Sequence, residues 1–250
     1  MSEEPKHTTI RTAFPLKDMQ VWQKFVIGIK SENRFTISEE PARFVDLVID
    51  YAKKHKIVSL PRNTLLYRAR VNDRDTNAPF PLDEMGTPPG RLAGHGRLNP
   101  RGIPYLYLAS NLITAVSEVR PWVGCDLTVA EFSLVDDCEL VNFSKEYLVN
   151  MPNGDQYEGA EFTWRKLITW TFSAPFDPRD DTAYVPTQYL AERIKGVGFA
   201  GIMYDSALSS GGYNVALFDV KKADAVRREK ARVTATKVDA QFHAITENEG

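Results

Sequence analysis

Apolar positions recur at helical spacing twice near the start of the chain. Trp22, Phe25, Val26 and Ile29 fall at i, i+3, i+4 and i+7 within residues 17 to 30. Phe44, Leu47, Val48 and Tyr51 repeat that spacing within residues 39 to 54, after Ser38 as a candidate N-cap. These patterns predict two amphipathic helices, too few residues for a core of their own, and so an N-terminal helical appendage (1–60) packed on a main domain (61–222). Residues 64–70 read as a strand, and 105–109, 127–132, 138–143, 201–206 and 214–219 as others. Helices are predicted from Ser110, as cap, through Val119, over 160–172, and from Pro186 in a first turn to Gly196, the last presenting Leu190, Ile194 and Val197 to the core. Between Asn72 and Pro104, six prolines alternate with five glycines, which forbids long helices and central strands. An ordered loop of that length is usually functional. The residues from 223 to 250 form a charged, weakly periodic tail with at most a short helix or strand remnant. Strands outnumber helices without strict alternation, which predicts an α+β fold.

Composition narrows the function. The 250 residues are 43% hydrophobic, an ordinary globular value, and 31 Lys+Arg against 33 Asp+Glu leave a net charge of −2. That balance gives no case for a nucleic-acid binder or for an anionic membrane surface. Cys125 and Cys138 form no CxxC pair, and His7, His55, His95 and His243 show no ligand spacing, so no metal site is expected. The opening MSEEPKHTT has neither the basic nor the apolar region of a secretory signal, which predicts a cytoplasmic protein.

Several residues stand out against this background. Gly94-His95-Gly96 lacks the third glycine and the flanking strand and helix of a dinucleotide fingerprint, and His95 reads as an exposed loop residue. Arg97 and Asn99, set between glycines, offer donors to a phosphate or carboxylate, although a solvated loop arginine is an equal reading. Arg68 lies inside an apolar strand, where a guanidinium needs a carboxylate or an anionic ligand, and Arg70 on the same strand face competes for that role. In Tyr105-Leu106-Tyr107-Leu108, period-two geometry puts the tyrosines on one face and the leucines on the other. Glu118 falls on the border of a stripe of Leu112, Ala115, Val116 and Val119, so it either projects into a cleft or pairs at the surface with Arg120 or Arg193. Ser206 ends a strand before Ser209-Ser210-Gly211-Gly212, as a ligand contact or a turn cap. Trp122 and Trp170 read as core or rim aromatics.

Taken together, the blocks Leu66-Tyr67-Arg68-Ala69-Arg70, GRLNPRGIPYLYLAS (96–110), TAVSEVRPWVG (114–124) and PTQYLAERIKGVGFAGIMYDSALSSGGYNVALFD (186–219) resemble the RES domain family, named for its Arg, Glu and Ser. The resemblance covers about residues 60 to 220. It implies a curved, split α+β core similar to the ADP-ribosyltransferase toxins, with NAD+ in the cleft. The implied activity is cleavage of NAD+ to nicotinamide, by phosphorolysis to ADP-ribose 1''-phosphate or by hydrolysis to ADP-ribose, in a toxin or defence-type effector. It implies no cofactor beyond the substrate NAD+, with inorganic phosphate as co-substrate. An Xre-type antitoxin protein is the partner such toxins have, and a homodimer is left open. The N-terminal helices and the extended 72–90 segment depart from a minimal toxin, and because phosphate competes with water only where water is partly excluded, the implied phosphorolysis makes the Pro/Gly loop an expected lid. The matching functional positions are Arg68, Arg97, Tyr107, Glu118 and Ser206, with Asn99 beside Arg97 in the substrate-binding set. Glu118 would stabilise an oxocarbenium-like ribose, Arg68 and Arg97 would hold the pyrophosphate, Tyr107 would stack on the nicotinamide, and Ser206 would bond the substrate and place Glu118. Two rival functions are mono-ADP-ribosyl transfer to another acceptor and a non-catalytic module that binds NAD+ or ADP-ribose.

Overall fold

The computed structural model describes residues 16–55, 57–144, 160–174, 177 and 180–236. Five α-helices surround one eight-stranded sheet among these residues. Helix α1 (Leu16–Ile27) runs into a π-helical turn (Gly28–Glu32) and is followed by α2 (Glu39–His55). Strands β1 (Ile57–Leu60) and β2 (Leu65–Val71) precede the Pro/Gly-rich segment, after which come β3 (Leu106–Ala109), α3 (Leu112–Glu118), β4 (Asp126–Leu134) and β5 (Cys138–Asn142). Helices α4 (Ala160–Ser173) and α5 (Val185–Gly196) lead to β6 (Gly201–Asp205), β7 (Tyr213–Leu217) and β8 (Ala223–Arg232).

The sheet order is β1-β5-β6-β7-β3-β2-β4-β8, antiparallel except between β5 and β6. It is the expected α+β architecture, and its split lies in the strand register. β2 pairs with β4 over seven positions and β3 with β7 over four, but β2 and β3 meet through the single pair Tyr67↔Ala109. Strand β3 is short because Pro104, just upstream, has no N–H to give a ladder. Two well-paired half-sheets therefore part along the β2/β3 seam, and the gap is the place where side chains of both halves can face a ligand.

Both helices of the N-terminal segment belong to the main core. Trp22, Phe25, Ile29, Phe44, Val45, Val48 and Ile49 share one cluster with Phe172 of α4, Leu190 and Ile194 of α5, and Tyr105. Within it, Phe143 and Phe172 stack with centroids 4.6 Å apart, and Phe25 meets Tyr189 edge-on. β1 also joins the sheet through β5. The expected stripe packs into the core in α1, whereas in α2 it does so only in part, through Phe44 and Val48. Val45, Ile49 and Ala52 are buried whereas Leu47 is 65% exposed, because the packing partner decides which of two overlapping apolar stripes is covered. Val197, similarly, lies beyond the end of α5 and is 42% exposed.

The opposite sheet face carries a second cluster, including Leu66, Leu106, Leu108, Phe132 and Leu217. The alternation in β3 thus holds, with leucines on this face and tyrosines on the other. The Pro/Gly-rich segment supplies the cover. Its Met85 is fully buried, Phe80 and Leu82 pack beside it, and Phe80 N–H donates to Thr128 Oγ1 at 2.9 Å. Residues 72–90 are thus a buttress tied to the sheet rather than the expected lid. Past residue 222, where at most a short helix or strand remnant is expected, the chain instead forms a ten-residue edge strand, β8, pairing β4 over nine positions and studded with exposed charges, as edge strands commonly are.

Candidate active site

A cleft of about 370 Å³ opens at the β2/β3 seam, within the size range of small-molecule sites. Arg68, Arg97, Tyr107, Glu118, Arg120 and Asn214 contribute to its lining.

Arg68 stands in mid-β2, opposite Ala130 of β4. Its Nη1 lies 3.4 Å from the Tyr107 carbonyl oxygen, while its Nε is enclosed with no partner. Burial first, and the nearby Arg70 charge second, push the guanidinium down to about 10, with Tyr107 pulling the other way. It remains a cation at neutral pH, and no carboxylate among the described residues forms an ion pair with it. The competition with Arg70 is resolved by contacts: Arg70 donates to the Glu84 carbonyl and its guanidinium lies 3.9 Å from the Phe80 ring centroid, so it holds the buttress. Arg68 is left facing the cleft.

Arg97 combines two roles. Its Nη1 donates to the carbonyls of Phe172 and Ala174 at 3.0 and 2.8 Å, closing the C-terminal end of α4, where a cation is favoured. Its guanidinium also sits 5.6 and 5.8 Å from the rings of Tyr184 and Tyr204. Arg97 is therefore both a strut of the cleft wall and part of its cationic lining.

Tyr107 presents its ring rather than its hydroxyl. The hydroxyl donates to Asn99 Oδ1 at 2.8 Å and accepts from Leu98 N–H at 3.0 Å, and burial pushes its ionisation far upward. Asn99 is the clear correction to the expected site. It is 4% exposed and lies behind the cleft, its Nδ2 donating to the carbonyls of Gly94 and Pro100. Both ends of its amide are spent on the loop and on Tyr107, so it holds the wall and has nothing left for a substrate. Gly96 is required beside it, since a Cβ there would overlap Asn99 Oδ1 and come 2.9 Å from the Tyr107 hydroxyl. His95 is exposed, as expected.

Glu118 ends α3, whose N-cap is Asn111, with Oδ1 accepting from Thr114 N–H at 2.8 Å. Ser110, the expected cap, instead accepts from Tyr213 N–H and ties the β3 end to β7. A carboxylate at a helix C-terminus is opposed by the helix dipole, so it needs donors. Two converge on Oε1: Ser206 Oγ at 2.7 Å and Asn214 Nδ2 at 2.7 Å. Ser206 Oγ itself accepts from the N–H groups of Leu208 and Ser209 at 3.1 and 3.0 Å, which aims its own proton at Glu118. The cap and ligand readings of Ser206 thus meet in a third role, a turn that orients a carboxylate.

Asn214, Tyr204, Tyr184 and Arg120 are cleft residues that the sequence reading missed. Asn214 carried a usable signal, a lone amide between Tyr213 and the apolar run Val215-Ala216-Leu217. Arg120 carried none. It has a left-handed backbone, φ +47°, at the turn that ends α3. Trp122 and Trp170 are 63% and 61% exposed, which excludes the core reading of both.

Among the described residues, no group of three or more His, Cys, Asp or Glu side chains could hold a metal ion, and no helix is long and apolar enough to cross a membrane. The arrangement is instead three arginines and a braced carboxylate around aromatic faces, suited to a ligand with anionic groups at one end and developing positive charge at the other. No curated protein matches the chain. Residues 65–242 match the RES domain, more than two thirds of the length and the whole of the cleft. With Arg68, Glu118 and Ser206 gathered at one seam inside that stretch, the chain belongs to the RES domain family.

Proposed function

We propose that the protein is an NAD+-consuming enzyme that breaks the bond between nicotinamide and ribose, acting as a toxin or defence-type effector. Membership in the RES family is consistent with an NAD+-related, toxin-type function. The observation that carries the finer reading is Glu118, held through Oε1 by Ser206 and Asn214 in a cleft lined by Arg68, Arg97 and Arg120.

In this reading the arginines take the pyrophosphate and the Tyr107 ring lies against the nicotinamide or its ribose. The C1''–N bond breaks with its electron pair going to nicotinamide, which leaves neutral. The ribose gains positive charge, and the fixed Glu118 carboxylate stabilises it without reorganisation. A phosphate oxygen then bonds C1'' to give ADP-ribose 1''-phosphate, or water does so and releases a proton with ADP-ribose. Phosphorus NMR of an NAD+ reaction with and without inorganic phosphate separates these outcomes. A 1''-phosphate signal marks phosphorolysis, and release independent of phosphate marks hydrolysis. A mass shift on an added protein acceptor would replace both with ADP-ribosyl transfer.

Arg68 gives a sharper test of binding. Arg68→Met removes a buried cation that no carboxylate among the described residues offsets, so unfolding temperature is expected to hold or rise. Losing a charge-assisted contact should weaken NAD+ affinity by about 10-fold or more, read by calorimetry. Full affinity in the variant would take Arg68 out of the site.

A further inference from the structure

We propose that Asn214 is a positioning residue for Glu118, fixing the plane of its carboxylate so that one oxygen is fully used by the protein and the other is left for the reacting ribose. The inference rests on the NAD+-cleavage reading and adds to it a residue outside the Arg, Glu and Ser of the family's name.

Asn214 sits in the central strand β7, opposite Ala109 of β3 and Tyr204 of β6. It is 4% exposed and precedes Val215, Ala216 and Leu217, all fully buried. An amide in such surroundings is costly unless it is bonded, and its Nδ2 donates to Glu118 Oε1 at 2.7 Å. The orientation of the amide follows from chemistry, since a carboxylate can only accept and so the NH₂ group must face it. Ser206 Oγ donates to the same oxygen at 2.7 Å. Oε1 therefore receives two donors, while Oε2 accepts none among the described residues.

The two donors differ in what holds them. Ser206 belongs to the turn between β6 and β7, whereas Asn214 is locked into the ladder by pairing on both sides. A donor on a buried strand keeps its place when a turn shifts, and it is the more precise support for a reacting group. Glu118 needs that support, because it stands at the C-terminal end of α3, where the helix dipole repels it.

The test is Asn214→Leu, similar in size but without a donor, measured alone and in a Glu118→Gln background. The expected result is kcat lowered about 10-fold or more, the scale of one hydrogen bond to a charged group, with KM for NAD+ little changed. In the Glu118→Gln background the same substitution should have no further effect, because a residue that acts only through Glu118 has nothing left to act on. Equal losses in both backgrounds, or a raised KM with kcat intact, would overturn the proposal. A second measurement keeps Asn214 itself and does not depend on turnover. The side-chain amide signals of Asn214 in proton–nitrogen NMR should move in Glu118→Ala, and unmoved signals would overturn the contact. Absence of nicotinamide release by the wild-type protein, with those signals still moving, would instead count against the reaction and leave the positioning role standing.

Discussion

Glu118→Gln is expected to lower nicotinamide release by about 10²-fold or more, the loss typical of one key electrostatic group. The glutamine keeps the size of the side chain and can still accept from Ser206 and Asn214, so the cleft keeps its shape. What it loses is the negative charge that, in the proposed reaction, faces the ribose. Binding of NAD+ should accordingly change little while kcat collapses, which steady-state kinetics with a calorimetric Kd resolves. Turnover near the wild-type level would remove Glu118 from the chemistry, however well its surroundings hold it.

Gly212→Ala should damage the same site from behind. A Cβ at Gly212 would overlap Thr114 Oγ1 and come 3.0 Å from both Thr114 Cβ and Cγ2, and Thr114 is fully buried in α3. Gly212 also accepts from Ser206 N–H at 2.9 Å through its carbonyl. Pushing Gly212 away from α3 therefore drags the turn that aims Ser206 at Glu118. Overpacking of this kind costs about 1–3 kcal/mol, and thermal unfolding should show a drop of roughly 2–12 °C. Activity should fall along with it. Thr114→Ala in the same chain removes the overlapping oxygen and the Cγ2 methyl and should restore part of both, leaving the 3.0 Å approach to Thr114 Cβ and the loss of the 3.2 Å contact between Thr114 Oγ1 and Ser209 Oγ. A doubly substituted protein no better than Gly212→Ala alone would show that the clash is not the cause.

The residues that sequence reading located best are those whose chemistry conflicts with their neighbours. Arg68 stands out as a charge in an apolar strand, and Glu118 as a carboxylate on the border of an apolar stripe; both conflicts are local and need no knowledge of the fold. Asn214 obeys the same rule as Arg68, but an amide among aliphatic residues is a quieter signal than a guanidinium. Asn99 was misplaced because a loop asparagine offers the same donors whichever way it points. Its direction is set by the Tyr107 hydroxyl, which lies eight residues away in sequence and across the loop in space. The sheet seam was likewise illegible, since a single registered pair between β2 and β3 is a relation between strands and not a property of either. β8 escaped because an edge strand covered in charge has no buried face to alternate. The α+β class survived these gaps because it depends on the number and order of elements, and most of those were marked by apolar runs.

Release of nicotinamide from NAD+ by the purified wild-type protein, followed by chromatography with Glu118→Gln as its blank, tests the central claim most directly. A steady release that the substitution reduces about 10²-fold is the expected result. A folded wild-type protein that binds NAD+ and releases no nicotinamide would contradict the account and make the cleft a binding site only.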